Sequence, residues 1–442
     1  MYRTKIDELI QWKNSPIRKP LILRGARQVG KTWLLQEFGR TNYDQLVYLN
    51  FEDTPALQNM FASDFNIERI LTVLQVHAHV TITPENTLIV FDEIQSAERG
   101  ITSLKYFCEH APQYHVIAAG SLLGMNLHRH VSFPVGKVDF MDLRPLSFSE
   151  FLLALGEEQL NTILGAGKWD ILSVFTDKLK EYLRYYFYVG GMPEAAARFA
   201  QTRDWQEVRH IQRRILNTYE GDFSKHAPPE MVPRIRMVWQ SIPAQLAKEN
   251  KKFIYGVLRE GARAKDFELA IQWLLDSGLL LKSHRISKPH LPLSAYQDFS
   301  AFKLFLHDVG LLGAMAGLDM KTIIEGNAIF TGFKGAFTEQ YVMQQLRLNS
   351  NDYIGYWTND RSTAEVDFVV QHEGEVIPIE VKAGENLKAK SFKTFYEKYR
   401  PEKAIRTSLS DYKEEPWMVN VPLYGIGASG VLTTTERTAG GS

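Results

Sequence analysis

Only one cysteine, Cys108, occurs in 442 residues. One thiol excludes an internal disulfide framework and any zinc site built on several cysteines, and it suits a reducing cytoplasm. Long apolar runs are also missing. No uninterrupted stretch approaches the ~18 residues of a membrane span, and residues 1–20 carry Lys5, Lys13, Arg18 and Lys19 without an apolar signal core. A cytosolic protein is expected. Neither charge is in excess: 51 Lys and Arg face 51 Asp and Glu. Any contact with nucleic acid must therefore come from local patches rather than a global field. The twelve histidines form no HExxH pair and no GxSxG elbow occurs, which leaves zincin and serine-hydrolase chemistry without support. No internal repeat is visible.

What remains is a globular composition, 45% hydrophobic and 23% charged, in a chain too long for one ordinary core. Pro20–Arg24 (PLILR) reads as a short buried strand, and it runs into Gly25, Ala26, Arg27, Gln28, Val29, Gly30, Lys31 and Thr32. A helical pattern, WLLQEFG, follows to Gly39. This is GxxxxGK[ST] between a strand and a helix, the setting in which backbone N–H groups and a helix N-terminus cradle phosphates. Lys31 is placed to reach the β and γ phosphates of ATP, and Thr32 to ligate Mg2+. Thr87–Phe91 (TLIVF) reads as a central parallel strand ending in Asp92-Glu93. Asp92 there can hold the Mg2+ shell and Glu93 can polarise the attacking water. Residues 46–53 and 115–121 predict further strands with helices between them, hence a parallel sheet. Ser121, at the tip of the last of these, is a candidate γ-phosphate sensor.

Near the other end, Glu365–Gly384 (EVDFVVQHEGEVIPIEVKAG) predicts two strands around a Glu373-Gly374 turn. In that register residue numbers of partners sum to about 747. Asp367 then faces Glu380 and Glu365 faces Lys382, while Val366, Phe368 and Val370 face Val381, Ile379 and Ile377. The charged set is expected away from the core. It can be a solvated face with a Glu365–Lys382 ion pair, or a Mg2+ site. Upstream, Gly335–Leu346 reads as a helix with Glu339 in its first turn.

The middle of the chain is helical from Phe151 to about Tyr219, broken at Gly190-Gly191-Met192-Pro193. Residues 231 to about 310 suggest a winged helix-turn-helix, with LLLKSHRI and FKLFLHD as wing strands. Arg259, Arg263 and Lys265 would then start its second helix, the end that enters a DNA groove in such readers.

GARQVGKT, LIVFDEIQ, the GSLLG of 120–124, SFPVGKVDFMDLRPLSFSEFL (132–152) and YYFYVGGMPEAAARF (185–199) together resemble the prokaryotic AAA-type ATPases with a conserved uncharacterised C-terminal region. The resemblance implies ATP and Mg2+ as cofactors, ATP hydrolysis on an AAA+-like core, and a homo-oligomer, since a neighbouring subunit usually completes such sites with an arginine. The order Glu339, Asp367, Glu380-Val-Lys382 is similar to the PD-(D/E)xK nuclease core. That likeness implies Glu339, Asp367 and Glu380 on one Mg2+, with Glu380 and Lys382 as catalytic groups. Lys388, Lys390, Lys393 and Lys398 would follow on a phosphate-tracking helix.

The expected architecture is α/β. It comprises a P-loop AAA+-like parallel-sheet domain (1–150), a helical connector (151–225), a winged helix (226–320), a restriction-endonuclease-like α/β domain (321–428) and a loose tail (429–442). The expected function is an ATPase acting on nucleic acid, DNA above all, through a nuclease-like domain. The alternative is a nucleotide-driven switch that binds DNA or protein and cuts nothing.

Overall fold

The computed structural model describes residues 2–120, 133–248, 251–321, 333–349, 352–359, 364–384 and 390–433. Ser121 and Lys388 lie outside the described residues. The chain divides into two compact units, residues 2–145 with 272–279, and residues 146–271 with 280–442.

In the N-terminal unit, strands of four to six residues alternate with helices, and the two central ones, TLIVFD and HVIAAG, are buried along their whole length as parallel-sheet strands are. After α1 (Lys5–Asn14) come β1 (Leu21–Arg24), α2 (Lys31–Asn42), β2 (Gln45–Asn50), α3 (Ile67–Ala78), β3 (Thr87–Asp92), α4 (Gly100–His110), β4 (His115–Gly120) and β5 (Asp139–Asp142). The five strands are all parallel in the order β2-β3-β4-β1-β5. β3 and β4 are buried along their whole length, and Phe51, Phe61, Phe91 and Phe107 fill one side of the sheet. Parallel pairing brings the C-terminal ends of β1, β3 and β4 to one edge. That edge is where Gly25–Thr32 and Asp92-Glu93 emerge.

The second unit opens with helices. They include α5 (Phe148–Ala154), α6 (Thr176–Val189), α7 (Pro193–Thr202), α8 (Trp205–His226) and α9 (Val232–Leu246). Its eight-stranded sheet has the order β12-β13-β11-β10-β9-β8-β6-β7. The strands are β6 (Leu280–Ile286), β7 (Gln297–Leu306), β8 (Tyr353–Thr358), β9 (Glu365–His372), β10 (Glu375–Val381), β11 (Ile405–Ser408), β12 (Lys413–Glu415) and β13 (Met418–Pro422). Between them run α10 (Val309–Met315), α11 (Lys334–Asn349) and α12 (Lys390–Tyr399).

The strands expected as a wing are β6 and β7, but β6 also pairs in parallel with β8 through His284–Gly355 and Ile286–Trp357. They form the end of the same sheet that holds the hairpin, so the boundary expected at residue 320 runs through a continuous sheet. The physical reason is burial: β7 is covered from Ala301 to Leu306, which a free wing would expose.

Candidate functional sites

The phosphate loop is shaped by its glycines. Gly30 (φ 92) is the N-cap of α2 and offers no side chain to the first N–H groups, leaving them for a ligand. Gly25 (φ 157) has no room for more: a Cβ there would stand 2.3 Å from the carbonyl oxygen of Leu143. Gln28 takes a left-handed backbone (φ 65), Ala26 and Val29 are buried, and Arg3 Nη1 staples the loop from behind by donating to the Val29 carbonyl at 2.9 Å. Lys31 Nζ curls under the loop and donates to the carbonyls of Gly25 (2.8 Å) and Ala26 (2.9 Å). Burial lowers its pKa to about 8, with Glu93 and Asp92 pulling the other way.

The Thr32 hydroxyl donates to Asp92 Oδ2 at 3.1 Å, and the Tyr48 hydroxyl donates to the same oxygen. Burial and Asp92 push the Tyr48 phenol well up, so it stays a donor. The Glu93 amide donates to Asp92 Oδ1 at 3.0 Å. Glu93 itself has a left-handed backbone (φ 48), and its carboxylate accepts from the Gln95 side-chain amide. Every described residue expected at the nucleotide site thus stands at one sheet edge. A hydroxyl and a carboxylate in contact form a hard-oxygen pair that fits Mg2+, and the uncapped α2 N-terminus with Lys31 fits polyphosphate. Tyr48 and Gln95 escaped the sequence reading, although Tyr48 lies inside a predicted strand and Gln95 two residues past the Asp92-Glu93 pair.

The C-terminal hairpin follows the expected register, with Glu375 opposite His372 and Ile379 opposite Phe368. Its turn takes positive φ at Glu373 (45°) and Gly374 (84°), as a tight primed turn requires. The charged side is not wet, however. Glu339, on α11, is 4% exposed, Glu380 is 5% exposed and Asp367 is half-buried. α11 packs against β10 and β7, closing the face expected to be open.

The expected Glu365–Lys382 pair is also replaced. Lys382 Nζ holds Glu380 at 2.6 Å, and Glu365 is held by Lys303 of β7. Lys303 is fully buried, lies 3.6 Å from Glu339 Oε2 and sits 4.8 Å over the Tyr356 ring. Burial alone would lower its pKa, but Glu339, Glu365 and Asp367 outweigh that and hold the ammonium charged. Lys251, which follows α9, pairs with Glu339 Oε1. The Val381 amide donates to Asp367 Oδ2 at 2.8 Å.

The cluster therefore joins seven groups: Glu339, Glu365, Asp367, Glu380, Lys251, Lys303 and Lys382. Burial, then Glu339 and Glu380, push the Asp367 carboxyl well above the usual carboxylate range. Burial raises Glu380 as well, against Lys382. For Glu339 burial acts upward too, but Lys251 and Lys303 win and hold it below its ordinary value. Lys251, Lys303 and Lys382 each pair with a carboxyl of the cluster, Glu339, Glu365 and Glu380 respectively.

The cluster does not match the expected metal centre. Among the described residues no group of three His, Cys, Asp or Glu side chains is disposed to hold a metal ion. Glu339, Asp367 and Glu380 come into one neighbourhood, yet lysines take the contacts a cation would. Glu339 Oε2 is buried without a hydrogen bond and faces the Lys303 ammonium at 3.6 Å. The two added lysines were missed because Lys251 lies 88 residues from Glu339 in sequence. A signal for Lys303 did exist. A lone lysine inside AFKLFL, all buried, must find an acid.

The GGMPEA segment, where the helical pattern breaks, is tied to α11 through Asp308. Gly190 has φ 72, and a Cβ on Gly191 would stand 2.3 Å from the Leu146 carbonyl oxygen. The Gly191 amide donates to Asp308 Oδ2 at 2.5 Å, and Gln344 of α11 donates to the same carboxylate at 3.2 Å. Burial raises Asp308 to about 6, against these donors. The Phe148 amide, in the PLSF.EFL segment, donates to Gln345 at 3.0 Å. Both motifs thus fix the helix that carries Glu339.

No helix among the described residues is long and apolar enough to cross a membrane. No curated protein matches the chain. Among solved structures, the Walker-type ATPase PABY2304 of Pyrococcus abyssi is 11% identical, with a TM-score of 0.44 over 71% of this chain and 95% of that one. The ORC1 protein of Aeropyrum pernix, solved in complex with DNA, is 13% identical, with a TM-score of 0.29 over 72% and 93%. The Drosophila ORC bound to DNA gives 16%, 0.25, 71% and 95%. Overlays this loose carry no conclusion about the present chain. Residues 180–322 match a domain of unknown function (DUF8612), and residues 334–424 match another (DUF4143). Residues 17–152 match the AAA domain family, and with their parallel sheet and phosphate loop they support an AAA-type ATPase in this part of the chain.

Proposed function

We propose that the chain binds and hydrolyses Mg-ATP and uses its nucleotide state to control a nucleic-acid-directed C-terminal module. The observation that carries the first part is the Thr32–Asp92 contact at 3.1 Å, beside the uncapped N-terminus of α2. ATP supplies the phosphoanhydride to be cleaved. The chain supplies the rest: Gly25–Gly30 amides and Lys31 hold phosphates, Thr32 and Asp92 hold Mg2+, and Glu93 orients and deprotonates the attacking water.

Phosphate release by the full chain tests this, with Lys31→Ala and Glu93→Gln as variants. Lys31→Ala should lose ATP binding. Glu93→Gln should keep binding and lose at least about a hundredfold in turnover. Turnover by Glu93→Gln equal to that of the wild type would remove Glu93 from its role.

For the C-terminal module we infer DNA as partner and a nuclease-like centre of Glu339, Asp367, Glu380 and Lys382, from their order in the chain and their convergence. The switch that cuts nothing has its own support: Lys251 and Lys303 already satisfy Glu339. Cleavage of labelled single-stranded and duplex DNA with Mg2+, with and without ATP, separates the two. Loss of cutting in Asp367→Asn supports the nuclease, and an absence of cutting beside intact ATP hydrolysis supports the switch.

A further inference from the structure

Two carboxylates stand side by side at the end of β3, and the chain gives them different donors. Asp92 accepts from the Thr32 and Tyr48 hydroxyls and, at 3.0 Å, from the Glu93 amide. Glu93 accepts at Oε2 from the Gln95 side-chain amide, and among the described residues nothing else donates to its carboxylate. The turn that carries Gln95 is tightly held. Ile94–Ser96 form one turn of 3-10 helix, closed by the Ser96 amide on the Glu93 carbonyl at 2.9 Å and the Ala97 amide on the Ile94 carbonyl at 3.1 Å. Ile94 and Ala97 belong to the same buried core as Phe91 and Ile101. At the start of α4, a Cβ on Gly100 would stand 2.7 Å from the Ile94 carbonyl oxygen, so the helix closes directly on the turn.

The Gln95 amide faces the carboxylate with its nitrogen, since the reverse orientation would set oxygen against oxygen. Its own Oε1 is then buried with no hydrogen bond among the described residues. A glutamine retained for stability alone is expected to have both ends satisfied, because an orphaned buried acceptor costs free energy. Against the burial that lowers the Lys31 pKa, Glu93 acts on that ammonium more strongly than Asp92 does, so its carboxylate lies toward the phosphate loop.

We propose that Gln95 is a positioning residue for ATP hydrolysis: its amide holds Oε2 of Glu93 and leaves Oε1 for the water that attacks the γ-phosphate. The proposal rests on the reading of Glu93 as the base and names what orients it. Without that donor Glu93 keeps its charge and its left-handed backbone (φ 48), but its side chain regains rotamer freedom, and a small misplacement of a reacting group is costly in rate. Thr32 and Tyr48 cannot take over, because both are engaged with Asp92. Gln95 is not among the groups that hold phosphate or Mg2+, so its loss falls on kcat rather than on KM.

The test is steady-state hydrolysis of Mg-ATP by the full chain, with Gln95→Met, Glu93→Gln and the two combined. Methionine keeps the unbranched shape of the side chain and removes the donor. Thermal unfolding checks that each variant folds, and Gln95→Ala replaces Gln95→Met if that one does not. The expected result is that Gln95→Met loses at least about tenfold in kcat while KM for ATP stays within about twofold of wild type. On the Glu93→Gln background the same change should alter the residual rate by less than about twofold, because the residue acts through Glu93. A kcat within about twofold of wild type in Gln95→Met, beside a Glu93→Gln variant that has lost turnover, overturns the role of Gln95 and leaves the base standing. A KM raised as much as kcat falls, or an equal loss on the Glu93→Gln background, gives Gln95 a structural role instead and overturns the proposal. Wild-type turnover by Glu93→Gln overturns both the base and its positioning.

Discussion

Replacing Lys303 by methionine keeps the stem of the side chain and removes its charge from between Glu339 and Glu365. At 3.6 Å the Lys303–Glu339 pair alone corresponds to about 4–5 kcal/mol of Coulomb attraction at an effective dielectric constant of about 20. The Glu365 pair is shorter still. Part of that attraction offsets the desolvation of the ammonium, which methionine no longer incurs. The carboxylates left behind dominate: breaking a buried pair by removing one partner costs about 3–5 kcal/mol. We expect Lys303→Met to destabilise the sheet end by about that amount near pH 7.

The pH dependence follows from the same charges. In the wild type Glu339 is held below its ordinary pKa, so its stabilisation is present above the unfolded pKa and is lost as pH falls through the folded value. In the variant Glu339 keeps Lys251 alone and Glu365 loses its Lys303 pair, so the buried negative charge is less compensated and stability is lost as pH rises. The gap between the two proteins should therefore narrow from about pH 7 to about pH 4. Hydrogen exchange by mass spectrometry on the full chain is the suitable assay, because it resolves residues 297–306 and 334–349 in a chain of two units whose global unfolding need not be two-state. Adding Glu365→Gln to Lys303→Met should recover at least about 1 kcal/mol as a coupling term. A loss below about 1 kcal/mol, or a gap that does not change with pH, would refute the buried-cluster reasoning.

Two further predictions concern other parts of the chain. Because burial lowers the Lys31 pKa to about 8, binding of ATP should draw in about half a proton at pH 8 and about a tenth at pH 7. Calorimetry in two buffers of different ionisation enthalpy reads this directly, and a buffer-independent enthalpy at pH 8 would sink it. Gly191→Ala should cost about 2–3 kcal/mol, because its Cβ would meet backbone atoms of Leu146 at 2.3 and 2.8 Å that cannot move aside like a side chain. A urea midpoint unchanged from wild type would show that the segment has room after all.

The geometry of the phosphate loop was legible because it is written in contiguous residues. Eight positions from Gly25 to Thr32 set the loop, and an apolar run ending in Asp92 locates its partner strand. Parallel pairing then does the assembly without any further instruction from side chains. The hairpin register was legible for a similar reason, since the Glu373-Gly374 turn fixes it locally. What the hairpin faces was not, because a strand's alternation tells which residues share a side, not what covers that side. Expecting water there, one pairs Glu365 with Lys382. α11 and β7 cover the region instead, and the pairs change to Lys303–Glu365 and Lys382–Glu380.

Two of the segments that carry the family resemblance gain a physical meaning from the same covering helix. A helix laid over buried carboxylates must be held in register, since a shift by one residue would move Glu339 out of reach of Lys303. Gln344 and Gln345 provide that hold, the first through Asp308 and Gly191, the second through the Phe148 amide. The tight glycines at 190 and 191 are needed because the chain must approach Asp308 and Leu146 more closely than any Cβ permits. The segments PLSF.EFL and GGMPEA, more than 140 residues upstream of Glu339, therefore act on the acidic centre through α11. Charge sets which lysine meets which carboxylate, and backbone packing at two glycines sets where the decisive carboxylate stands.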